Sequence, residues 1–189
     1  PDWQPLVKRE DRVTGLALRG DRVYALSFRG ASRYKVVTGP VAGFSAATAQ
    51  VLVPESQRVL TGLDGAQDAL YLSARDGNVK RLYRIAYRDG AQPEEVPLPV
   101  AGNFSTSGVR PDLPGLLLDL QGWTRARQIF EVPAGGAVRN TGLQPAGPFD
   151  APTDIAATEV MVKSHDGAMV PMSIIHKQGT KLDGSNPVL

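Results

Sequence analysis

The sequence of 189 residues contains no cysteine. That absence excludes disulfide bonds, thiolate zinc sites and a cysteine nucleophile, and it leaves the cellular compartment open. No apolar run approaches the roughly 18 residues of a membrane-spanning helix, and the first residues do not resemble a signal peptide. A strong charge of one sign is also missing, because 21 Lys and Arg stand against 19 Asp and Glu. We therefore expect no nucleic-acid partner and no membrane partner.

Glycine and proline, by contrast, are abundant, with 20 and 15 residues, which leaves little room for long helices. Runs of four to eight apolar or alternating residues between turn signals indicate β-strands. The clearest predicted strands are residues 13–18, 22–28, 69–73, 80–87, 115–120, 127–132, 159–164 and 169–176. Only residues 42–51 resemble a helix, and the small residues around Gly43 suit a loop or an outer strand equally well.

An interval of 47 residues recurs before residue 150. Tyr24, Tyr71 and Leu118 follow one another at that interval, each in an apolar strand that precedes a turn and a second strand. Such a hairpin with one or two flanking strands per 40–50 residues is typical of a β-propeller blade. We predict about three blades with these residues at equivalent positions, and a β-sandwich of glycine-punctuated hairpins is the alternative.

The segment after Phe149 carries a dense and ordered pattern. Its motif residues are Ser164, Asp166, Gly167, Val170, Pro171, Met172, His176, Lys177, Gly179, Asp183, Gly184 and Pro187. The pattern resembles the opening of the peptidase domain in the prolyl oligopeptidase family of serine peptidases. Upstream blocks such as Gln121-Gly122-Trp123-Thr124 are similar to the late propeller blades of that family.

The resemblance implies an all-β chain in two parts. Residues 1–154 would be a partial β-propeller of about three blades, the gating domain, and residues 155–189 a β-hairpin that opens an α/β-hydrolase domain. The parent enzyme would cleave peptides after proline, with the propeller restricting access. The family's catalytic Ser, Asp and His lie downstream of the matched segment, so we assign no catalytic residue, no metal ligand and no cofactor to this chain.

The partners that the resemblance implies are an oligopeptide substrate and the chain's own peptidase domain. It favours the cytoplasm, with a periplasmic or secreted location left open. The chain begins at Pro1 without a methionine and ends in the apolar tail 186–189, so we expect a non-catalytic fragment of a longer protein. Exposed apolar strands would favour its self-association. The alternative is a stand-alone propeller-like protein-binding module, although the blade signatures of kelch and WD repeats are absent from the sequence.

The remaining polar groupings have ordinary structural explanations. Ser164-His165-Asp166 holds the residue types of a triad, but neighbours in a strand point to opposite faces, and Asp-Gly is typical of turns. Glu94-Glu95 is expected in a solvated loop, and Trp3 and Trp123 are expected to pack between blades. Basic residues follow the predicted hairpins and suit either a polar strand edge or one face of the propeller. They are Lys80, Arg81, Arg84, Arg88, Arg125 and Arg127.

The sequence also predicts the strand register of a hairpin over residues 159–176. A three-residue loop, His165-Asp166-Gly167, pairs Val162 with Val170 and requires Gly167 in the left-handed conformation. This register places the apolar side chains on one face, which we expect to pack on the hydrolase sheet in the parent and, in this chain, to be exposed or buried against another chain. They are Val160, Val162, Val170, Met172 and Ile174.

Overall fold

The computed structural model describes residues 3–188, so the two chain ends discussed above, Pro1 and Leu189, lie outside the described residues. Within that range the chain has one 3₁₀ turn, Arg9–Asp11, and no α-helix. Its strands form three four-stranded antiparallel sheets and one two-stranded sheet. The predicted all-β architecture, about three blades followed by a hairpin, is therefore confirmed. Residues 3–188 contain no helix with the length and apolar character needed to cross a membrane.

Each four-stranded sheet is one blade, with its strands in chain order. Blade 1 consists of β1 Val13–Arg19, β2 Arg22–Ser27, β3 Lys35–Pro40 and β4 Gln50–Val53. Blade 2 consists of β5 Val59–Gly65, β6 Ala69–Asp76, β7 Val79–Ala86 and β8 Glu94–Val96. Blade 3 consists of β9 Asn103–Ser107, β10 Leu116–Gly122, β11 Arg125–Val132 and β12 Arg139–Asn140. The terminal hairpin consists of β13 Ile155–Lys163 and β14 Met169–Lys177.

The 47-residue repeat is confirmed at the level of strands. Tyr24, Tyr71 and Leu118 are each the third residue of the second strand in their blade. A β-bulge in the first strand recurs at the same interval, immediately before Gly15 in blade 1 and before Gly62 in blade 2. Because the bulge, the strand start and the tyrosine all repeat together, blades 1 and 2 share one register.

The predicted equivalence of Leu118 with the two tyrosines is wrong by one residue. Tyr24 packs between blades 1 and 2, and Tyr71 packs between blades 2 and 3, so each faces the following blade. Leu118 lies in the same core as Tyr71 and therefore faces the preceding blade. Side chains alternate along a strand, so a shift of one residue reverses the face. In blade 3 the first strand pairs with β10 without a bulge.

Two apolar cores join the blades. The first holds Leu70 and Leu72 against Tyr24 of blade 1, and the second holds Tyr71 against Leu118 and its neighbours in blade 3. Strand β6 contributes side chains from one face to the first core and from the other face to the second. Leu70 and Tyr71, which point to opposite faces, are both 0% exposed. Blade 2 is thus packed on both sides and links the other two.

The outward face of blade 1 is partly covered by its own chain. Val23 is fully buried in a small cluster to which the loop 41–49 contributes Phe44 and Ala46. Asp11 fixes this loop, because its Oδ1 accepts a hydrogen bond of 3.0 Å from the backbone N of Ala46. Residues 42–49 consequently form turns, which decides against the helical alternative.

Several strands run through segments outside the clearest predicted strands, among them β5, β8 and β9. Strand β5 contains two glycines and an aspartate, and β9 reads Asn-Phe-Ser-Thr-Ser. Pairing with β6 and β10 holds these weakly apolar segments extended. The solvated loop predicted for Glu94-Glu95 is also wrong, because these residues belong to β8 and pair with β7.

Candidate functional site

The terminal hairpin has the predicted register. Val160 pairs with Met172 and Val162 with Val170. The backbone N of Ser164 donates a hydrogen bond of 2.7 Å to the carbonyl of Ala168, which closes the three-residue loop. Gly167 has φ +87°, the left-handed conformation that this loop requires.

One face of the hairpin is mainly apolar between residues 160 and 174, whereas the other combines polar residues with the exposed side chains of Met161, Met169 and Ile175. We call the side formed by Val160, Val162, Val170, Met172 and Ile174 the apolar face. Val162, Val170 and Met172 on it are 41%, 48% and 44% exposed. Aliphatic side chains gathered on one side of a strand pair normally pack on another layer, so this exposed face is a candidate interface.

The opposite face of the hairpin contacts blade 2 through polar groups. The side-chain Nδ2 of Asn78 donates a hydrogen bond of 3.0 Å to Ser173 Oγ. The backbone N of Asn78 donates one of 3.3 Å to Glu159 Oε2. Gly77 has φ +62°, and a Cβ there would lie 2.7 Å from Glu159 Oε1. The tight turn of β6 and β7 therefore admits the glutamate carboxylate directly against its backbone.

An open cleft lies beside these contacts. It has a volume of about 400 Å³, and its walls include Trp123 and Arg125 of blade 3 together with Thr158 and Glu159 of the hairpin. Trp123 follows β10 in a hairpin turn and is 53% exposed, and Trp3 is 94% exposed. The prediction that both tryptophans pack between blades is therefore wrong, because each lies where no blade covers it.

The residues with triad chemistry are part of the hairpin loop. Ser164 Oγ lies 3.3 Å from His165 Nδ1, but Asp166 Oδ1 accepts a hydrogen bond of 3.0 Å from the backbone N of Ala168. This backbone hydrogen bond and then the Ser164 hydroxyl lower the pKa of Asp166. The aspartate thus stabilises the turn and does not orient the imidazole, as a Ser-His-Asp relay would require.

Most of the predicted basic residues, and Glu95, form local contacts. Arg81 lies 3.2 Å from Glu95, and Arg127 pairs with Asp119 on the same sheet face. The Lys80 ammonium donates to the carbonyl of Phe104 at 2.7 Å, and burial lowers its pKa. These groups pair within or between neighbouring strands and do not converge on one site. Within residues 3–188, no three His, Asp or Glu side chains are arranged to hold a metal ion.

One polar cluster, which the sequence patterns did not indicate, lies at the other end of β6. Asp68 accepts hydrogen bonds from the backbone N of Gly115 at 2.7 Å, from Tyr71 Oη at 3.0 Å and from Arg84 Nε at 3.2 Å. Burial acts to raise the pKa of Asp68, but these hydrogen bonds together lower it. Burial, followed by the bond to Asp68, raises the pKa of Tyr71 to about 12. The cluster ties blade 2 to the loop that precedes β10 and is structural.

Comparison with protein-family models gives no match, and comparison with curated proteins gives none either. Solved structures do match. One comes from a study of two prolyl endopeptidases, with 24% identity, TM-score 0.71 and coverage of 88% of this chain and 24% of that chain. Oligopeptidase B from Leishmania major has 15% identity and TM-score 0.71, with coverage of 89% and 25%. A post-proline cleaving enzyme from Rickettsia typhi has 16% identity and TM-score 0.71, with coverage of 93% and 27%.

The chain has the fold of the propeller region of the prolyl oligopeptidases. It spans about a quarter of the length of the solved structures that it matches. The motif residues between 164 and 187 and the match in three dimensions are separate observations. Both point to the same fold. At these identities the likeness is one of fold, and function is argued below from the chain's own surfaces.

Proposed function

We propose that the chain is a non-catalytic part of a prolyl oligopeptidase-like serine endopeptidase. In this proposal residues 1–154 are late blades of the gating propeller, and residues 155–189 open the peptidase domain. The observation that carries it is the terminal hairpin, which follows the third blade and turns its apolar face away from the blades. The motif between Ser164 and Pro187 lies on and just beyond this hairpin.

The apolar face is proposed to pack on the sheet of the peptidase domain. Such a domain would cover Val162, Val170 and Met172, which are the most exposed aliphatic residues of that face. Each Å² of apolar area buried in this contact would contribute about 25 cal/mol, which favours the attachment. In the isolated chain the same face is proposed to drive self-association.

The three blades are proposed to restrict which substrates reach the peptidase domain. A gate needs a rigid body, and the two apolar cores on either side of β6 provide one. The substrate would be an oligopeptide cleaved after proline. The serine that forms the acyl-enzyme, with its base and oxyanion hole, would be supplied by sequence outside this segment.

The coding sequence around this segment and a peptidase assay test the proposal. We expect the adjoining sequence to contain a Gly-x-Ser-x-Gly motif, followed in order by Asp and His. The longer protein should release a chromophore from a proline-containing peptide, and a serine-directed inhibitor should block that release. Residues 1–189 alone should show no turnover.

A matched control replaces the serine of that motif in the longer protein with alanine, which should abolish turnover while leaving the blades folded. Turnover by residues 1–189 alone that the inhibitor blocks would overturn the non-catalytic assignment. Adjoining sequence with further blades and no Gly-x-Ser-x-Gly motif would instead support the stand-alone binding module.

A further inference from the structure

We propose that the cleft between blade 3 and the hairpin binds short peptides with a C-terminal proline, with Trp123 as the platform for the ring and Arg125 as the partner of the carboxylate. The choice of proline rests on the proposed function, because cleavage after proline leaves that residue at the C-terminus of a product. The recognition of a C-terminal carboxylate rests on the side chains of the cleft alone.

The cleft has the size and composition of a ligand site. Its volume of about 400 Å³ lies within the range of roughly 300–1,000 Å³ that is usual for such sites. Its walls combine apolar side chains with hydroxyl groups, and they include Val79, Pro99, Val100, Thr124 and Ser173. A mainly apolar lining with a few polar groups is typical of sites that bind a ligand in one orientation.

Trp123 is held in place by the chain around it and not by its own burial. It lies in the two-residue turn between Gly122 and Arg125, which pair at the end of β10 and β11. A Cβ on Gly122 would lie 2.9 Å from Val100 Cγ1 and 3.0 Å from the carbonyl oxygen of Ala101, so the turn packs directly on the link between blades 2 and 3. The indole is nevertheless 53% exposed. A positioned but uncovered indole offers a flat apolar surface at little cost in conformational entropy.

Arg125 differs from the other arginines in the strands of blade 3, because it has no carboxylate partner. Arg127 pairs with Asp119, and Arg139 pairs with Glu131. Arg125 forms no ion pair within residues 3–188, and its exposed side chain lines the cleft. A guanidinium holds a carboxylate through two parallel hydrogen bonds. A ligand carboxylate is therefore the partner that this residue lacks.

The hairpin wall of the cleft carries the opposite charge and sets the direction of the ligand. Glu159 lines this wall, and its Oε2 accepts a hydrogen bond of 3.3 Å from the backbone N of Asn78. A carboxylate accepts up to about four hydrogen bonds, so Glu159 keeps capacity for N–H donors of a bound peptide. Like charges repel, so the carboxylate of the peptide binds at Arg125 and its amino end points toward Glu159.

Proline suits this cleft better than a flexible side chain. Proline-containing peptides dock on exposed aromatic side chains, because their extended conformation is largely preformed. Less conformational entropy is therefore lost on binding. The peptides that the proposed endopeptidase releases end in proline with a free carboxylate, so their C-terminal end fits both Trp123 and Arg125.

Tryptophan fluorescence tests the site directly. The chain has two tryptophans, and Trp3 is 94% exposed, so Trp3→Phe leaves Trp123 as the single tryptophan. Titration with the peptide Ala-Gly-Ala-Pro, carrying a free carboxylate, should change this emission to saturation. The same peptide with a C-terminal amide should bind at least about tenfold more weakly, because it loses the charge-assisted hydrogen bonds to Arg125. Equal binding of acid and amide, or no saturable change up to about 10 mM peptide, would overturn the site.

Variants assign the binding to the two side chains. Arg125→Gln should weaken binding of the acid about tenfold and leave binding of the amide unaltered, which a general loss of structure would not do. Arg139→Gln is the matched control, since Arg139 is an exposed arginine of the same blade outside the cleft, and it should alter neither. Trp123→Ala, measured by calorimetry, should weaken both peptides alike. Unaltered acid binding in Arg125→Gln, or an equal loss in Arg139→Gln, would overturn the assignment.

A peptide that ends in alanine separates this inference from the proposed function. Ala-Gly-Pro-Ala should bind about two- to tenfold more weakly than Ala-Gly-Ala-Pro, because the terminal ring no longer packs on Trp123. Equal binding would overturn the selection of proline. These measurements read binding and no turnover. Binding as expected in a protein whose longer sequence lacks a Gly-x-Ser-x-Gly motif would overturn the proposed function alone, and absent binding in an active peptidase would overturn the cleft alone.

Discussion

Asp68 makes one of several polar connections between blades 2 and 3. Its side chain is 12% exposed and accepts hydrogen bonds from Tyr71, Arg84 and Gly115. Removing a charged acceptor from such a cluster leaves partly buried donors unsatisfied, which is more costly than the loss of an exposed pair. The cluster also shows how a loop residue with no distinctive sequence motif can bear on stability.

Asp68→Asn is expected to lower the free energy of unfolding at pH 7 by about 2 kcal/mol, because the amide retains one acceptor but loses the charge. Urea denaturation followed by circular dichroism measures this. Asp112→Asn is the matched control, since Asp112 pairs with Arg110 on the surface with both side chains about 60% exposed, and it should leave stability unaltered. Equal effects of the two substitutions would contradict the structural role of Asp68.

The same residue predicts a pH dependence. The hydrogen bonds lower the pKa of Asp68 below its ordinary value of 3.8, so the unfolded chain binds the proton more tightly than the folded chain. The stabilisation is therefore present above pH 3.8 and is lost as the pH falls through the lowered pKa. Urea midpoints between pH 5 and pH 2 should fall more steeply for the natural chain than for Asp68→Asn. Parallel curves would contradict this.

Alanine substitutions at Gly115 and Gly90 distinguish the cost of a steric clash from the cost of a strained backbone. Both have positive φ, +72° and +71°, but a Cβ on Gly115 would lie 2.2 Å from the carbonyl oxygen of Val132, whereas Gly90 has no atom within 4 Å of that position. Gly90→Ala should cost about 1–2 kcal/mol for the left-handed backbone alone. Gly115→Ala should cost about 3–5 kcal/mol, because strand β11 must also move. Similar losses in urea denaturation would show that the strand moves freely.

At the scale of the element, the terminal hairpin is supported differently from the blades. Within residues 3–188 neither β13 nor β14 belongs to an apolar core, and the hairpin meets the blades at the polar contacts of Asn78 and along the cleft. Its exposed apolar face is expected to associate with other copies in the absence of a covering domain. That surface, and not the blades, is then the origin of any oligomer.

Replacing Val162 with Lys and Val170 with Glu should abolish concentration-dependent association measured by sedimentation velocity. These residues pair directly across the hairpin, so opposite charges retain the strand pairing while removing the apolar area. Met161→Lys changes the opposite face, where Met161 is 54% exposed, and serves as the control. Association that persists in the double variant but disappears with Met161→Lys would assign the contact to the other face.

At the scale of the whole molecule, blade 2 makes the three blades one cooperative unit. Leu70 lies in the first core and Leu118 in the second, and the two cores lie on opposite faces of β6. In stacked repeats of this kind each interface supports its neighbours. The hairpin, which meets blade 2 through the hydrogen bonds of Asn78, is expected to open independently of the blades.

Leu70→Ala and Leu118→Ala should each cost about 2–5 kcal/mol and should lower the stability of all three blades together. Native-state hydrogen exchange measures this residue by residue. Amides of β6 and β10 should share one protection energy in both variants, while amides of β13 and β14 should exchange faster and be unaffected. Separate protection energies for blades 1 and 3 would contradict a single unit.

Sequence alone determined the middle strands and the hairpin of this chain, because these elements carry their own signals. Strands β2, β6 and β10 are apolar enough to be recognised, and their starts repeat at 47 residues. In the hairpin, the Asp166-Gly167 turn and the alternation of side chains together allow only one register. Both signals lie within a few residues of the structure that they predict.

The tertiary structure alone decided three features. They are strands β5 and β9, the direction in which Leu118 faces, and the contact of Asn78 with the hairpin. Strands β5 and β9 are extended because β6 and β10 supply their hydrogen-bond partners, which no local pattern encodes. The face of Leu118 depends on one residue of register, and the Asn78 contact joins residues 95 positions apart. The facing of Leu118 and the Asn78 contact arise from packing between segments that are distant in the sequence, so they are fixed only when the blades have assembled around a common core.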